Sequence, residues 1–253
     1  MKRCISVLVL AVFATATTCF ADSITMETVS FPGGTVLAGS GGLSIHGDVY
    51  NEAPYQYTFG NDGTGSAAAL DGQTINGFWI SFTQEISQHP DLPAVFNLEG
   101  LNAALPNTYQ QIESLMYYAQ VGRTTSGGYT GSVSFSQSGP SVGPATAGLG
   151  IAIWAVLQES SSNGSAPAGG YVLSSTAAFN AAPNGPAYPG AYFGADVDYA
   201  AALLQDLNTN GNTSNSVGTV DALVDATNGA VQPQGIILLG VPEPCGCVGL
   251  AGR

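Results

Sequence analysis

The sequence predicts a mainly β protein, a sandwich or barrel-like domain carrying two short helices. Three observations lead there. Short apolar or alternating runs are separated by clusters of Gly, Asn, Ser and Pro, the punctuation of an all-β chain. Glycine contributes 34 of 253 residues, above ordinary usage, and supplies turns and tight bends. Hydrophobic residues make up 45% of the chain and mean hydropathy is +0.20, which argues for a folded core despite the high net charge.

Taken in order, the candidate strands are Thr35–Ala38, Gln56–Phe59, Phe78–Phe82, Ala94–Leu98, Gly131–Phe135, Gly150–Leu157, Tyr171–Leu173 and Gly235–Leu239. Gly60-Asn61-Asp62-Gly63 is a turn signal after the second of them. Tyr109–Gln120 reads as a helix, because Ile112, Leu115, Met116 and Ala119 form one apolar stripe. Asn107 is its candidate N-cap and Gly122 its stop. Asp198–Leu207 reads as the second helix, with Ala201, Leu204 and Leu207 as its stripe. Ser160–Gly170 reads as a soft loop rich in Ser, Gly and Ala.

The first 21 residues read as an export signal. Lys2 and Arg3 precede an apolar run from Ile5 to Ala14, and Cys19-Phe20-Ala21 places small residues for a cut before Asp22. That run is shorter than the ~20 apolar residues a membrane-spanning helix needs. The body, residues 22–240, is long enough for one substantial core, and one domain is the simplest count.

Charge excludes some partners. The four basic residues are Lys2, Arg3, Arg123 and Arg253, against 17 acids and a net charge of −13. Loss of Lys2 and Arg3 with the signal leaves 2 − 17 = −15. Such a chain cannot neutralise a phosphate backbone, so nucleic acid and anionic lipid are poor partners. Neutral glycans and divalent cations remain open. The cysteines are Cys4, Cys19, Cys245 and Cys247. Between Asp22 and Val241 there is none, which removes disulfides, thiolate metal sites and cysteine nucleophiles from the body.

Other motifs carry little chemistry. Gly139-Pro140-Ser141-Val142-Gly143 fits the hydrolase elbow pattern. The elbow needs a strand before it, a helix after it and a later acid and His, whereas the next segment reads as loop then strand and His46 and His89 both come earlier. Asp206, Asn208 and Asn210 with Gly211 copy the start of a calcium loop, but Val217 stands where a bidentate Glu belongs; a polar turn leaving the second helix is the plain account. Asp196 and Asp198 form a close acidic pair that could serve glycoside chemistry or simply face solvent. The expectation is no catalytic residue, no cofactor and no metal.

Two resemblances add to this. Val241-Pro242-Glu243-Pro244, directly after the last candidate strand, resembles the PEP-CTERM sorting signal of Gram-negative bacteria. That resemblance implies handling by an exosortase at the membrane. In the family an apolar span and an Arg cluster follow. Here Cys245 to Arg253 is nine residues with a single Arg, too short to span a bilayer, so the expectation is a truncated signal and no stable membrane anchor.

In the body, Gly77-Phe78-Trp79-Ile80-Ser81-Phe82-Thr83-Gln84-Glu85-Ile86 resembles the first motif of thioester-type surface domains, where Phe-Cys-Val-Asp is usual. Ala147-Gly148-Leu149-Gly150-Ile151-Ala152-Ile153-Trp154 resembles the second, usually Ala-Phe-Gln-Leu-Ala-Ile-Trp. Ile112–Tyr118 resembles the helix between them. In reactive members a Cys and a Gln from these motifs form an internal thioester. Trp79 and Gly150 stand at those two positions, so the resemblance implies a scaffold without its covalent chemistry. If the two positions face each other on adjacent strands, Gly150 makes room for the Trp79 ring and volume is conserved. The alternative is that Trp79 and Trp154 are ordinary core aromatics.

The function expected is that of an exported, non-catalytic cell-surface or extracellular-matrix protein. Adhesion or exopolysaccharide association would be non-covalent, through loops at one end of the sheets. Tyr50, Tyr55, Tyr188 and Tyr192 are candidates to stack on sugars. One alternative is a secreted polysaccharide-acting hydrolase using carboxylates such as Asp196 or Glu85. Another is a matrix filler with no specific ligand.

Overall fold

The computed structural model describes residues 22–30, 43–45, 48–50, 55–80, 92–122, 133, 144–161, 163–173, 193–213, 220–225 and 235–239. The elements, in chain order, are β1 (Ser23–Ser30), β2 (Leu43–Ile45), β3 (Asp48–Tyr50), β4 (Tyr55–Phe59), a 3-10 turn at Gly65–Leu70, β5 (Thr74–Trp79) and β6 (Ala94–Gly100). Then come α1 (Leu101–Ala104), α2 (Tyr109–Val121), α3 (Pro144–Glu159), α4 (Phe193–Asn210), β7 (Asp221–Asp225) and β8 (Gly235–Leu239).

Six strands form a closed barrel in the order β1-β4-β5-β8-β7-β6, every pair antiparallel. β1 closes it, pairing Met26 with Phe59 on one side and with Ala94 on the other. β2 and β3 make a separate two-stranded ribbon.

Strand alternation divides the apolar side chains between two cores. Ile24, Met26, Tyr55, Tyr57, Phe59, Ile75, Phe96, Leu223, Ile236 and Leu238 belong to the barrel core. Phe78, Ala222 and Ile237 lie in one cross-strand row on the other face, and they join the helical core. β8 is therefore buried on both faces, which is why it reads as an unbroken apolar run rather than an alternating one.

The helical layer packs α3 against α4 and α2. Ile112, Leu115, Met116 and Ala119 of α2 are all buried, as their spacing predicts. Gly122 closes the helix at φ 62°, ψ 32°, the left-handed position a glycine adopts without penalty. The residue before α2 is Thr108 rather than Asn107, and it makes no side-chain cap.

Several expectations need correction. Gly150–Leu157 is not a strand; it lies inside the 16-residue α3. Every residue from Gly148 to Val156 is buried, so no polar face marks the helical period. Tyr171–Leu173 forms no strand. The second helix is longer than expected, 18 residues, and Ala201 is exposed while Ala200, Leu203, Leu204 and Leu207 are buried. Strand β5 begins at Thr74, four residues ahead of the expected Phe78. Thr35–Ala38 lies outside the described residues, as does Gly131–Phe135 apart from Val133, which is not in a strand. The barrel is as expected; the helices are more extensive than two short ones.

Candidate functional site

The loop after α3 turns back on itself and settles beside the end of α4. Gly164, Gly169 and Gly170 adopt φ values of 77°, 99° and 84°, a region in which side chains are rarely found. At Gly164 a Cβ would lie 1.8 Å from the Asn107 carbonyl oxygen, so only glycine fits.

Two amides fix this loop. Asn208 on α4 accepts the Tyr171 N–H at its Oδ1 (2.9 Å) and donates from Nδ2 to the Tyr171 carbonyl (2.8 Å). Gln111 on α2 donates from Nε2 to the Gly164 carbonyl at 2.7 Å. The Tyr171 hydroxyl lies 2.9 Å from Ser160 Oγ, and its ring is buried. Burial, helped by the charge of Glu159 nearby, pushes the phenol above its ordinary range against the opposing pull of the Ser160 and Gln111 hydrogen bonds.

The end of α4 is tied to α2 in the same place. Tyr118 donates to the Gly211 carbonyl (2.8 Å), Ser114 Oγ accepts the Thr213 N–H (2.9 Å) and Asn212 Nδ2 donates to Gln110 Oε1 (3.3 Å). Between these ties lies an open groove of about 560 Å³. Its polar side chains are Gln111, Ser165, Asn208 and Asn212; Ala166, Pro167 and Leu207 supply apolar surface, and no charged side chain lines it.

The residues singled out in the sequence are placed elsewhere. Trp79 is the last residue of β5, in register with Ile236 of the barrel core. Gly150 is buried in α3. They are not on adjacent strands, because Gly150 is helical. Phe78 of the first motif segment belongs to the same hydrophobic core as Leu149 and Trp154 of the second. Val241, Pro242, Glu243 and Pro244 lie outside the described residues, as do Glu85, His46, His89, Ser141, Tyr188 and Tyr192.

Tyr55 is not an exposed sugar platform. It is 1% exposed, inside the barrel beside Tyr57, with ring centroids 6.2 Å apart. Asp206-to-Asn212 is not a calcium loop. Asp206, Asn208 and Asn210 are helical, and alternate residues on a helix diverge rather than converge. Asp206 is buried and accepts a hydrogen bond from Asn210 Nδ2. Among the described residues, no group of three or more His, Cys, Asp or Glu is placed to hold a metal ion. No helix among them is long and apolar enough to cross a membrane.

Three carboxyls titrate above their ordinary range because burial disfavours their charge: Glu113 on α2, Glu159 at the end of α3 and Asp221 at the start of β7. Asp198 of the predicted acidic pair is exposed on α4.

No protein family, curated protein or solved structure matches this chain. The groove was missed in the sequence because its two halves read as unrelated features, a soft loop at 160–170 and a polar turn at 206–212.

Proposed function

We propose that this chain is an exported, non-catalytic protein of a bacterial cell surface or extracellular matrix, built on a thioester-like scaffold and holding its ligand non-covalently. The observation that carries the reading is the shared core of Phe78 and Trp154. That common core supports reading the two resembling segments as parts of one body. Neither reactive group remains, since Trp79 and Gly150 stand at the Cys and Gln positions and the body has no cysteine. Lys2 to Ala21 supports export, and Val241 to Pro244 supports recognition by exosortase-type machinery.

Two measurements on the full chain, expressed in a Gram-negative host, test this. N-terminal sequencing of the extracytoplasmic fraction should begin at Asp22; an intact start recovered from the cytoplasm overturns the export reading. Any complex with host glycan should dissociate completely in denaturant. A mass increase that survives denaturation means a covalent link and overturns the non-covalent reading.

A further inference from the structure

We propose that the groove between the 160–173 loop and the end of α4 binds a neutral, hydroxyl-rich ligand, a segment of an uncharged oligosaccharide. The proposal rests on the reading of the chain as a non-covalent binder. It names the site and the ligand class, which that reading leaves open.

The lining selects against charge. None of its twelve residues is ionisable at neutral pH, Tyr171 being a buried phenol. An anionic ligand would find no counter-charge there and would meet the field of a chain carrying −13. A cationic ligand would find no carboxylate among the lining residues. An uncharged ligand with many hydroxyls meets neither obstacle.

The lining also offers what hydroxyls need. A side-chain amide has two N–H donors and an oxygen with two lone pairs. Asn208 spends one donor and one lone pair on Tyr171. The remaining donor and lone pair stay on a side chain whose rotamer is already fixed. Gln111 donates to the Gly164 carbonyl and also bonds the Tyr171 hydroxyl, which leaves its oxygen as an acceptor, and Asn212 is held by Gln110. Donor and acceptor together on one planar group match a pair of neighbouring sugar hydroxyls, each of which both donates and accepts. Because these side chains are ordered before binding, little rotamer entropy is lost when a ligand arrives.

Shape agrees with chemistry. At Gly169 and Gly211 a Cβ would meet nothing within 4 Å, so the backbone is open to close approach there. Ala166, Pro167 and Leu207 provide an apolar surface for the C–H face of a sugar ring. A volume of about 560 Å³ falls within the range of small-ligand sites, about 300–1,000 Å³.

The test is an array of neutral, acidic and amino oligosaccharides probed with the full chain and with Asn212→Ala and Ala166→Trp. Both positions are exposed, and thermal melts establish that each variant is folded. The expected result is saturable binding to neutral oligosaccharides, weakened at least tenfold in Ala166→Trp, which fills the groove, and severalfold in Asn212→Ala. Binding that neither variant alters places the ligand elsewhere and overturns the groove. A blank array, or preference for charged sugars, overturns the ligand class. Product analysis of the same mixtures separates the underlying reading: shortened oligosaccharides would sink the non-catalytic assignment while leaving the groove as their site.

Discussion

Asn208 grips the main chain of Tyr171 on both sides, its Oδ1 2.9 Å from the amide nitrogen and its Nδ2 2.8 Å from the carbonyl oxygen. One exposed side chain thus replaces a pair of sheet-like hydrogen bonds and holds the 160–173 loop on α4. Asn208→Ala removes both bonds and should destabilise the fold by about 1–3 kcal/mol, the cost of two partly buried backbone groups losing their partners. Asn208→Asp keeps the acceptor and should cost less. Urea melts of the three proteins check this order, and amide exchange at Tyr171 should speed up in both variants.

The glycines of that loop do different work and should respond differently. Gly164→Ala pushes a methyl into the Asn107 carbonyl, so the wall of the groove must shift. Gly169→Ala meets open space and bears only the conformational cost of a side chain at φ 99°, about 1–3 kcal/mol. The expected outcome is a clearly larger loss of melting temperature for Gly164→Ala.

Ile237 packs in the helical core while Ile236 and Leu238 pack inside the barrel. Ile237→Ala therefore opens a cavity where the two layers meet and should cost about 2–5 kcal/mol. Val121→Ala, at a residue 48% exposed, should stay within about 0.5 kcal/mol of wild type. Chemical denaturation of the pair measures the contrast. A similar small loss at Ile237 would mean that the helices do not seat on β8.

Stability should rise as the pH falls from the raised folded pKa values of three partly buried carboxyls through their ordinary ones. Glu113, Glu159 and Asp221 are pushed upward by burial. Between the unfolded and folded pKa of such a group the folded state binds more protons, so stability decreases as pH rises through that window. The penalty is fully present above the folded pKa and is relieved below the unfolded one. Asp62 works the other way. Hydrogen bonds from the Thr25 side chain and backbone lower its pKa, so its contribution is present above the ordinary Asp value and lost as pH falls through the depressed one. Melting temperature followed against pH should therefore climb and then drop. Glu159→Gln should flatten the climb, and Asp62→Asn should soften the drop.

The parts of the fold that were legible had strong local signatures. β4 and β8 were bounded by Gly and Asn clusters, and α2 had a clean stripe ending in a glycine. β1 is legible in principle, since Ile24 and Met26 alternate with polar neighbours. The misreading of α3 has a physical cause. A helix buried on all sides shows no periodicity, and its β-branched Ile151, Ile153 and Val156 look like a strand when read one at a time. The groove was illegible for another reason. Gln111, Tyr171 and Asn208 are brought together by the packing of three helices, and nothing in the spacing of an amide along a chain announces which loop it will hold.

The closure of the barrel by β1 has a consequence for crowding. In an open sheet the outermost strands offer unpaired N–H and C=O groups, a template onto which another copy can zip. Here each of the six strands has a neighbour on both sides, so among the described residues the barrel presents no outermost strand. Among the described strands, β2 and β3 are the two that have a single strand neighbour each. Joining of two copies along the full length of a described outermost strand would use that ribbon, whose three-residue strands offer a few hydrogen bonds at most.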